Sequence, residues 1–143
     1  HEQFILSQLL YETAKNHFFY EKKQNHVHLI NWVIKYFSEH YQENISLDDI
    51  INSVNISKSH FIRIFREYTN HTPMDYLNHF RIERAKELLC QTELSIKNIS
   101  IDVGFSDEFY FSRLFKKSVG VSPQHYRKYQ HSLTLFNPDT PLE

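Results

Sequence analysis

Two arginines, Arg63 and Arg113, lie fifty residues apart, and each is followed three residues later by a second cation, Arg66 or Lys116. A guanidinium group can donate two hydrogen bonds to the edge of a guanine, and a neighbouring Lys or Arg can bind phosphates. For an isolated arginine, the simpler interpretation would be a solvated helix face. Because the same residue recurs in two matching contexts, we interpret both as contacts to the bases or backbone of a duplex.

The residues before Arg113 predict two short helices joined by a tight turn. Ser95 is a candidate N-cap, and apolar residues follow it at spacings of three and four. Gly104 can adopt the positive φ that a tight turn requires, and Ser106, followed by the acidic Asp107, is a candidate N-cap for the second helix. Together these features are typical of a helix-turn-helix unit.

The same pattern occurs earlier in the chain. A shift of 49 residues aligns Ser46, Ile50, Val54 and Ser57 with Ser95, Ile99, Val103 and Ser106. A shift of 50 aligns Phe61, Arg63, Phe65, Pro73 and Tyr76 with Phe111, Arg113, Phe115, Pro123 and Tyr126. The change of one residue is predicted to fall inside the second helix, near its start. The chain therefore contains two diverged copies of one unit, with Asn55 in the place of Gly104 and Asn70 in the place of Gly120.

The second copy and its flanks resemble the C-terminal signature of the AraC/XylS transcription regulators, over roughly residues 28 to 130. The motifs that carry the resemblance are Ile82-x-x-Ala85-x-x-Leu88-Leu89, Gly104-Phe105-Ser106-Asp107, Arg113-x-Phe115-Lys116-Lys117 and Gly120-x-Ser122-Pro123. The resemblance implies an all-α fold with two helix-turn-helix subdomains joined by a long linker helix. It also implies sequence-specific binding to double-stranded promoter DNA, with two recognition helices in successive major-groove segments. The regulator is expected to be an activator that contacts RNA polymerase, and its sensor or dimerisation domain is expected to be missing from this fragment.

The chain is predicted to divide into three parts. Residues 1–26 form a helical extension, interpreted either as a helix packed on the neighbouring domain or as a connector or dimerisation remnant. Residues 27–131 form the DNA-binding domain, with helix-turn-helix units at about 46–69 and 95–119 and the linker helix over 73–91. Ser46 with Asp49, and Thr72-Pro73 with Asp75, are predicted to cap two of its helices. Residues 132–143 form a tail without helical periodicity.

The candidate DNA contacts lie on the outward face, or at the start, of the second helix of each unit: Ser59, His60, Ile62, Arg63, Arg66, Asp107, Phe109, Tyr110, Ser112, Arg113 and Lys116. Ile62 and Phe109 either contact a thymine methyl group or pack against a neighbouring element. His60 and Tyr110 either reach phosphate or are partly buried. The predicted inward stripes are Phe61, Ile64, Phe65 and Tyr68 in the first copy and Phe111, Leu114 and Phe115 in the second.

Other residues have a structural alternative. Arg81, on the linker helix, is either an internal ion-pair partner or a DNA contact. Cys90, near the end of that helix, is more simply a small core residue than a reactive thiol. Trp32 and Tyr36 lie off the apolar stripe of a helix over 28–41 and are predicted to face the segment before it.

Composition limits the classes of protein. A hydrophobic content of 41% with only two glycines and four prolines favours a packed all-α chain. The single cysteine excludes an internal disulfide framework and is typical of a reducing cytosol, so a cytoplasmic location is expected. No apolar run approaches the roughly 20 residues that a membrane-spanning helix needs. The net charge of −1 weighs mildly against nucleic acid, but net charge does not report how charge is distributed over the faces of a domain.

An enzyme is not expected, because the sequence contains no HExxH motif, no CxxC pair and no glycine-rich phosphate loop. No cofactor or metal is predicted. The remaining alternative is a helical protein-interaction module that does not bind DNA directly, which the balanced charge favours. The salt dependence of binding distinguishes this alternative from DNA binding, since binding through several phosphates weakens steeply as the salt concentration rises.

Overall fold

The structure is a computed structural model that describes the backbone of residues 2–54 and 56–135 and the side chains of residues 13, 22–54 and 56–133. Over these residues it contains helices and no strands, which confirms the all-α prediction. The helices are α1 (Glu2–His40), α2 (Leu47–Asn52), α3 (Lys58–Thr69), α4 (Pro73–Gln91), α5 (Ile96–Asp102), α6 (Glu108–Val119) and α7 (Pro123–Leu135). The prediction for Asn55 lies outside the described residues, as does the tail from residue 136. None of the helices described is both long and apolar enough to cross a membrane.

The helix pairs α2–α3 and α5–α6 are the two copies of the repeat. Helices α3 and α6 have 12 residues each and begin fifty residues apart, whereas α2 and α5 begin 49 apart. The one-residue change therefore lies before the start of the second helix, and not inside that helix as predicted. Ser57 and Asp107 are the equivalent N-caps.

Side-chain caps fix several helix starts. The hydroxyl groups of Ser57, Thr72 and Ser95 each accept a hydrogen bond from the backbone N–H three residues later, at 3.3, 3.2 and 3.1 Å. The prediction that Ser106 caps α6 is wrong. The N-cap is the adjacent Asp107, whose carboxylate accepts hydrogen bonds from the backbone N–H groups of Phe109 and Tyr110. The capping box at Ser46 is also absent, since its side chain makes no cap hydrogen bond and the first backbone bond of α2 is long, at 3.4 Å.

Residues with a left-handed backbone conformation end α3 and α6. Another lies in the turn between α5 and α6. Asn70 has φ 61° and the equivalent Gly120 has φ 93°, as the repeat predicts. Gly104 has φ 100°, and a Cβ atom there would lie 2.3 Å from the Tyr41 carbonyl oxygen and 2.8 Å from Arg81 Nε. Glycine is therefore required at this turn both by the backbone conformation and by the close approach of the end of α1 and of α4.

Helix α4 contributes to two hydrophobic clusters. The first cluster contains Phe65 and other residues of α1, α2 and α3, together with Leu77 of α4. The second contains Phe115 and other residues of α5 and α6, together with Leu89 of α4. Tyr41, just after the end of α1, packs against both clusters. One face of α3 packs in the first cluster and one face of α6 packs in the second, so the opposite face of each helix is exposed to solvent.

The two ends of the chain differ from expectation. Helix α1 runs without interruption through residue 26, and α7 runs through residue 131 to Leu135, so both predicted boundaries fall inside helices. Trp32 and Tyr36 do not face a separate preceding segment. Their rings stack with centroids 5.8 Å apart, and Tyr36 stacks on His40 at 4.4 Å, along one side of the continuous α1.

Three predictions of burial or partner are wrong. Tyr68 is 38% exposed, because its hydroxyl group points out to donate to the Lys23 carbonyl oxygen at 3.4 Å. Cys90 is exposed, since α4 turns the preceding Leu89 to the core instead. Arg81 is internal, as one alternative held, but its guanidinium group donates to the carbonyl oxygens of Tyr41 and Glu43 and not to a carboxylate. Burial lowers the pKa of Arg81, and nearby Tyr110 opposes this shift.

Candidate nucleic-acid interface

Helix α3 presents the first set of candidate contacts on the face opposite the core. Phe61, Ile64 and Phe65 are buried, so the intervening positions project outward. Four of the candidate residues therefore lie on that outward face, with Ser59, Arg63 and Arg66 exposed and Ile62 partly exposed. This arrangement is the one expected from the period of the sequence.

Arg63 has one acidic neighbour on its own helix. Its Nη1 atom lies 3.5 Å from Glu67 Oε1, and both side chains are exposed. An exposed pair one helical turn apart is worth only about 0.3–0.5 kcal/mol. The pair therefore orients Arg63 without preventing it from binding a base or a phosphate. Arg66 makes no ion pair with any residue whose side chain is described.

Helix α6 presents the second set in the same way. Phe111 and Phe115 are fully buried, Arg113 and Lys116 are exposed, and Ser112 is partly exposed. Among the described side chains, no carboxylate pairs with Arg113 or Lys116. The cations of α6 are thus available to an anionic partner.

The start of α6 combines a cap with exposed aromatic rings. Asp107 Oδ1 accepts hydrogen bonds from the backbone N–H groups of Phe109 at 2.8 Å and Tyr110 at 3.2 Å. The Phe109 side chain is 76% exposed, so it does not pack against a neighbouring element of the described structure. Tyr110 is 44% exposed, and its ring centroid lies 6.0 Å from that of Phe105 in the turn.

His60 occupies the place of Tyr110 in α3 and is half-buried against α1. Its ring meets the His26 ring edge-on, with centroids 5.5 Å apart. Burial, together with His60 and Lys22, lowers the pKa of His26, while the Glu67 carboxylate raises it. Sequence reasoning did not pair residue 26 with residue 60, because only the path of the continuous α1 brings them together.

The two helices can be compared position by position at a separation of fifty residues: Ser59 with Phe109, His60 with Tyr110, Ile62 with Ser112, Arg63 with Arg113, Arg66 with Lys116, and Glu67 with Lys117. Both helices keep a central arginine with a cation nearly one turn later, whereas the remaining positions differ in chemistry. Lys117 is exposed, four residues after Arg113 on the same face, and it was not among the candidates predicted from the sequence although this spacing was the available signal.

A family model described as a helix-turn-helix domain matches residues 50–129, from within α2 to within α7. The chain belongs to the AraC-type helix-turn-helix family. The predicted family and the predicted all-α helix-turn-helix fold class are thereby confirmed.

Two curated relatives of this AraC-type chain are named as regulators of operons. It is 37% identical over 93 residues to the MmsAB operon regulatory protein of Pseudomonas aeruginosa, an alignment that covers 65% of this chain and 30% of that protein. It is 34% identical over 98 residues to the lactose operon transcription activator of Staphylococcus xylosus, covering 68% and 35%. The chain thus spans about a third of the length of these relatives.

Solved structures show the same fold. A transcriptional regulator from Chromobacterium violaceum, described as containing an AraC-type DNA-binding domain, has a TM-score of 0.64 and 28% identity, covering 71% of this chain and 91% of that one. The DNA-binding domain of the transcriptional factor AdpA, solved with a target DNA, has a TM-score of 0.70 over 76% of this chain and 97% of that one. Its identity is 23%, so this likeness concerns the fold alone.

Proposed function

We propose that this AraC-type chain binds double-stranded promoter DNA sequence-specifically, with α3 and α6 as reading helices in successive major-groove segments. One observation carries the proposal. In both copies of the repeat, the exposed face of the second helix has an arginine followed three residues later by a second cation, Arg66 or Lys116. An exposed helix face of this kind can enter the major groove, where arginine recognises guanine through its O6 and N7 acceptors.

The reading helices carry complementary roles. Arg63 and Arg113 are the base-reading residues of this proposal, and Arg66, Lys116 and Lys117 bind phosphates on either side of the groove. The exposed Phe109 ring supplies apolar contact for a thymine methyl group. Since the two helices differ at most other outward positions, we expect them to read different base sequences.

The length of α4 suits two adjacent groove segments. Its 19 residues correspond to roughly 28 Å of helix. Successive major-groove faces on one side of B-DNA are about 34–36 Å apart. A helix that packs against both units can therefore hold them at about the separation that one turn of duplex requires.

The biological setting follows from the relatives and is part of the proposal. Because these relatives are operon regulators, one of them named as an activator, we infer a cytoplasmic, non-enzymatic activator of transcription. RNA polymerase is the protein partner that activation requires. Because the chain spans about a third of these relatives, a sensor or dimerisation domain elsewhere in the full protein is part of the same inference.

The test is selection of bound sequences from a random duplex pool, followed by affinity measurements over a range of salt concentrations. We expect a selected sequence to bind much more tightly than a scrambled duplex. The logarithm of its affinity should fall with the logarithm of salt by about 0.9 for each phosphate contacted. Selection without enrichment, or binding with little response to salt, would instead favour a protein-interaction module.

A further inference from the structure

Arg81 lies at a junction between the two helix-turn-helix units. Its side chain belongs to α4 and is only 6% exposed. Nε donates to the Tyr41 carbonyl oxygen at 2.8 Å and Nη2 donates to the Glu43 carbonyl oxygen at 2.9 Å. Both carbonyl groups follow the last turn of α1, where carbonyl groups lack helical partners and attract a cation.

The same guanidinium group also contacts the turn of the second unit. Its Cζ atom lies 5.5 Å from the centroid of the Phe105 ring. The preceding Gly104 approaches so closely that an added Cβ atom would lie 2.8 Å from Arg81 Nε. Thus one side chain touches the end of α1, which packs in the first unit, and the turn that precedes reading helix α6.

Contacts continue from this junction to the reading helix. The Phe105 ring lies 5.3 Å from that of Phe111, in the core beneath α6, and 6.0 Å from that of Tyr110, at its start. On the other side, the Tyr41 ring packs edge-on against Phe80 of α4 at 5.3 Å. A short series of packed rings and one guanidinium group therefore connects α6 to the end of α1 and fixes the position of one relative to the other.

The partners of Arg81 indicate that it positions neighbouring elements relative to one another and does not only stabilise the fold. None of the ion pairs among the described side chains includes Arg81, so two carbonyl oxygens and the Phe105 ring, and not a carboxylate, stabilise its buried charge. A planar guanidinium fork can hold two carbonyl oxygens in one fixed arrangement, whereas an ammonium or apolar side chain cannot. A buried charge of this kind is suited to specifying one arrangement of neighbouring elements.

We propose that Arg81 is a positioning residue that fixes the distance and rotational phase between reading helices α3 and α6, and so sets the spacing of the two base patches that the chain accepts. This inference rests on the proposed function. Arg81 itself does not contact DNA in this arrangement, because its donors are buried and directed to Tyr41 and Glu43.

The experiment compares duplexes in which the two selected base patches are kept and one to three base pairs are inserted between them. Each inserted base pair moves the patches apart by about 3.4 Å and rotates one relative to the other by about 35°, since one turn contains about 10–10.5 base pairs. The wild-type chain should lose roughly tenfold or more in affinity when one reading helix is displaced from its bases.

Arg81→Met and Arg81→Lys are the test variants, and Lys86→Met, at a cation on the same helix that pairs with Glu83, is the control. For both Arg81 variants, the ratio of affinities for the selected and the lengthened duplex should fall towards one. The control should keep the wild-type ratio. Partial unfolding lowers the active fraction equally for every duplex, so it cancels from the ratio, and Arg81→Lys retains the charge if Arg81→Met folds poorly.

Wild-type ratios in both Arg81 variants would overturn the positioning role while leaving the proposed function intact. Absence of sequence-selective binding by the wild-type chain itself would instead remove the proposed function. A wild-type chain that binds the selected duplex but tolerates every insertion would also contradict the positioning role, because no fixed spacing would then exist.

Discussion

The Arg63 guanidinium group lies 3.5 Å from the Glu67 carboxylate, whereas the equivalent residues of α6, Arg113 and Lys117, are both cations. The first reading helix therefore carries a negative charge beside its central arginine, and the second carries an additional positive one. If both helices approach phosphates, this difference in charge predicts that α3 and α6 contribute unequally to the free energy of DNA binding.

Replacement of Glu67 by glutamine should strengthen DNA binding. The change removes a negative charge from the outward face of α3 and releases Arg63 from an exposed pair worth about 0.3–0.5 kcal/mol. We expect affinity for the selected duplex to rise about twofold or more, measured by fluorescence anisotropy at low salt. Glu87→Gln, which releases Arg84 on α4, is the matched control and should leave affinity unchanged. Weaker binding by Glu67→Gln would contradict the assigned orientation of α3.

Removal of either central arginine should weaken specific binding without unfolding the chain. Arg63→Ala and Arg113→Ala should each cost about 1–3 kcal/mol of binding free energy on the selected duplex and reduce discrimination at the base pair that each reads. Both side chains are exposed, so circular dichroism and melting should match the wild type. Lys35→Ala, at an exposed cation on α1, provides the comparison. Wild-type affinity in both arginine variants would show that other residues read the DNA.

Two phenylalanines on α6 separate stability from binding. Phe115 is fully buried in the second cluster, so Phe115→Ala should lower the free energy of unfolding by about 3–5 kcal/mol. Phe109 is 76% exposed, so Phe109→Ala should leave unfolding nearly unchanged and weaken binding to the selected duplex. Urea titration and anisotropy on the same preparations measure both quantities. Equal destabilisation by the two changes would contradict the orientation of α6.

Asp107 can be tested as a cap separately from its predicted DNA contact. Asp107→Ala should lower the free energy of unfolding by about 1 kcal/mol, because two N–H groups at the start of α6 lose their acceptor. Asp107→Asn retains an acceptor and should restore most of that stability. If the asparagine variant is stable and binds DNA like the wild type, the role of Asp107 is the cap alone.

The helices and their exposed faces could be predicted because they depend on local signals. The apolar periods of α3 and α6, the left-handed Asn70 and Gly120, and the cap at Thr72 all lie within a few residues of the structure that they determine. For this reason the exposure of Arg63 and Arg113 matched expectation.

The errors concern contacts between residues far apart in sequence. Arg81 was interpreted through charge, whereas its partners are backbone carbonyl groups about forty residues away. Tyr68 fits the apolar stripe of α3, but α1 provides an acceptor for its hydroxyl group at the surface. No local pattern reports such a partner, so these positions required the packed structure.

The most direct test of the central claim is hydroxyl-radical footprinting of the chain on a duplex selected from a random pool. Two reading helices on one rigid domain predict two protected patches, about one helical turn or 10–10.5 base pairs apart, on the same side of the duplex. Arg63→Ala should weaken protection of one patch and Arg113→Ala protection of the other. A single patch, or two patches on opposite sides of the duplex, would contradict the arrangement proposed for α3 and α6.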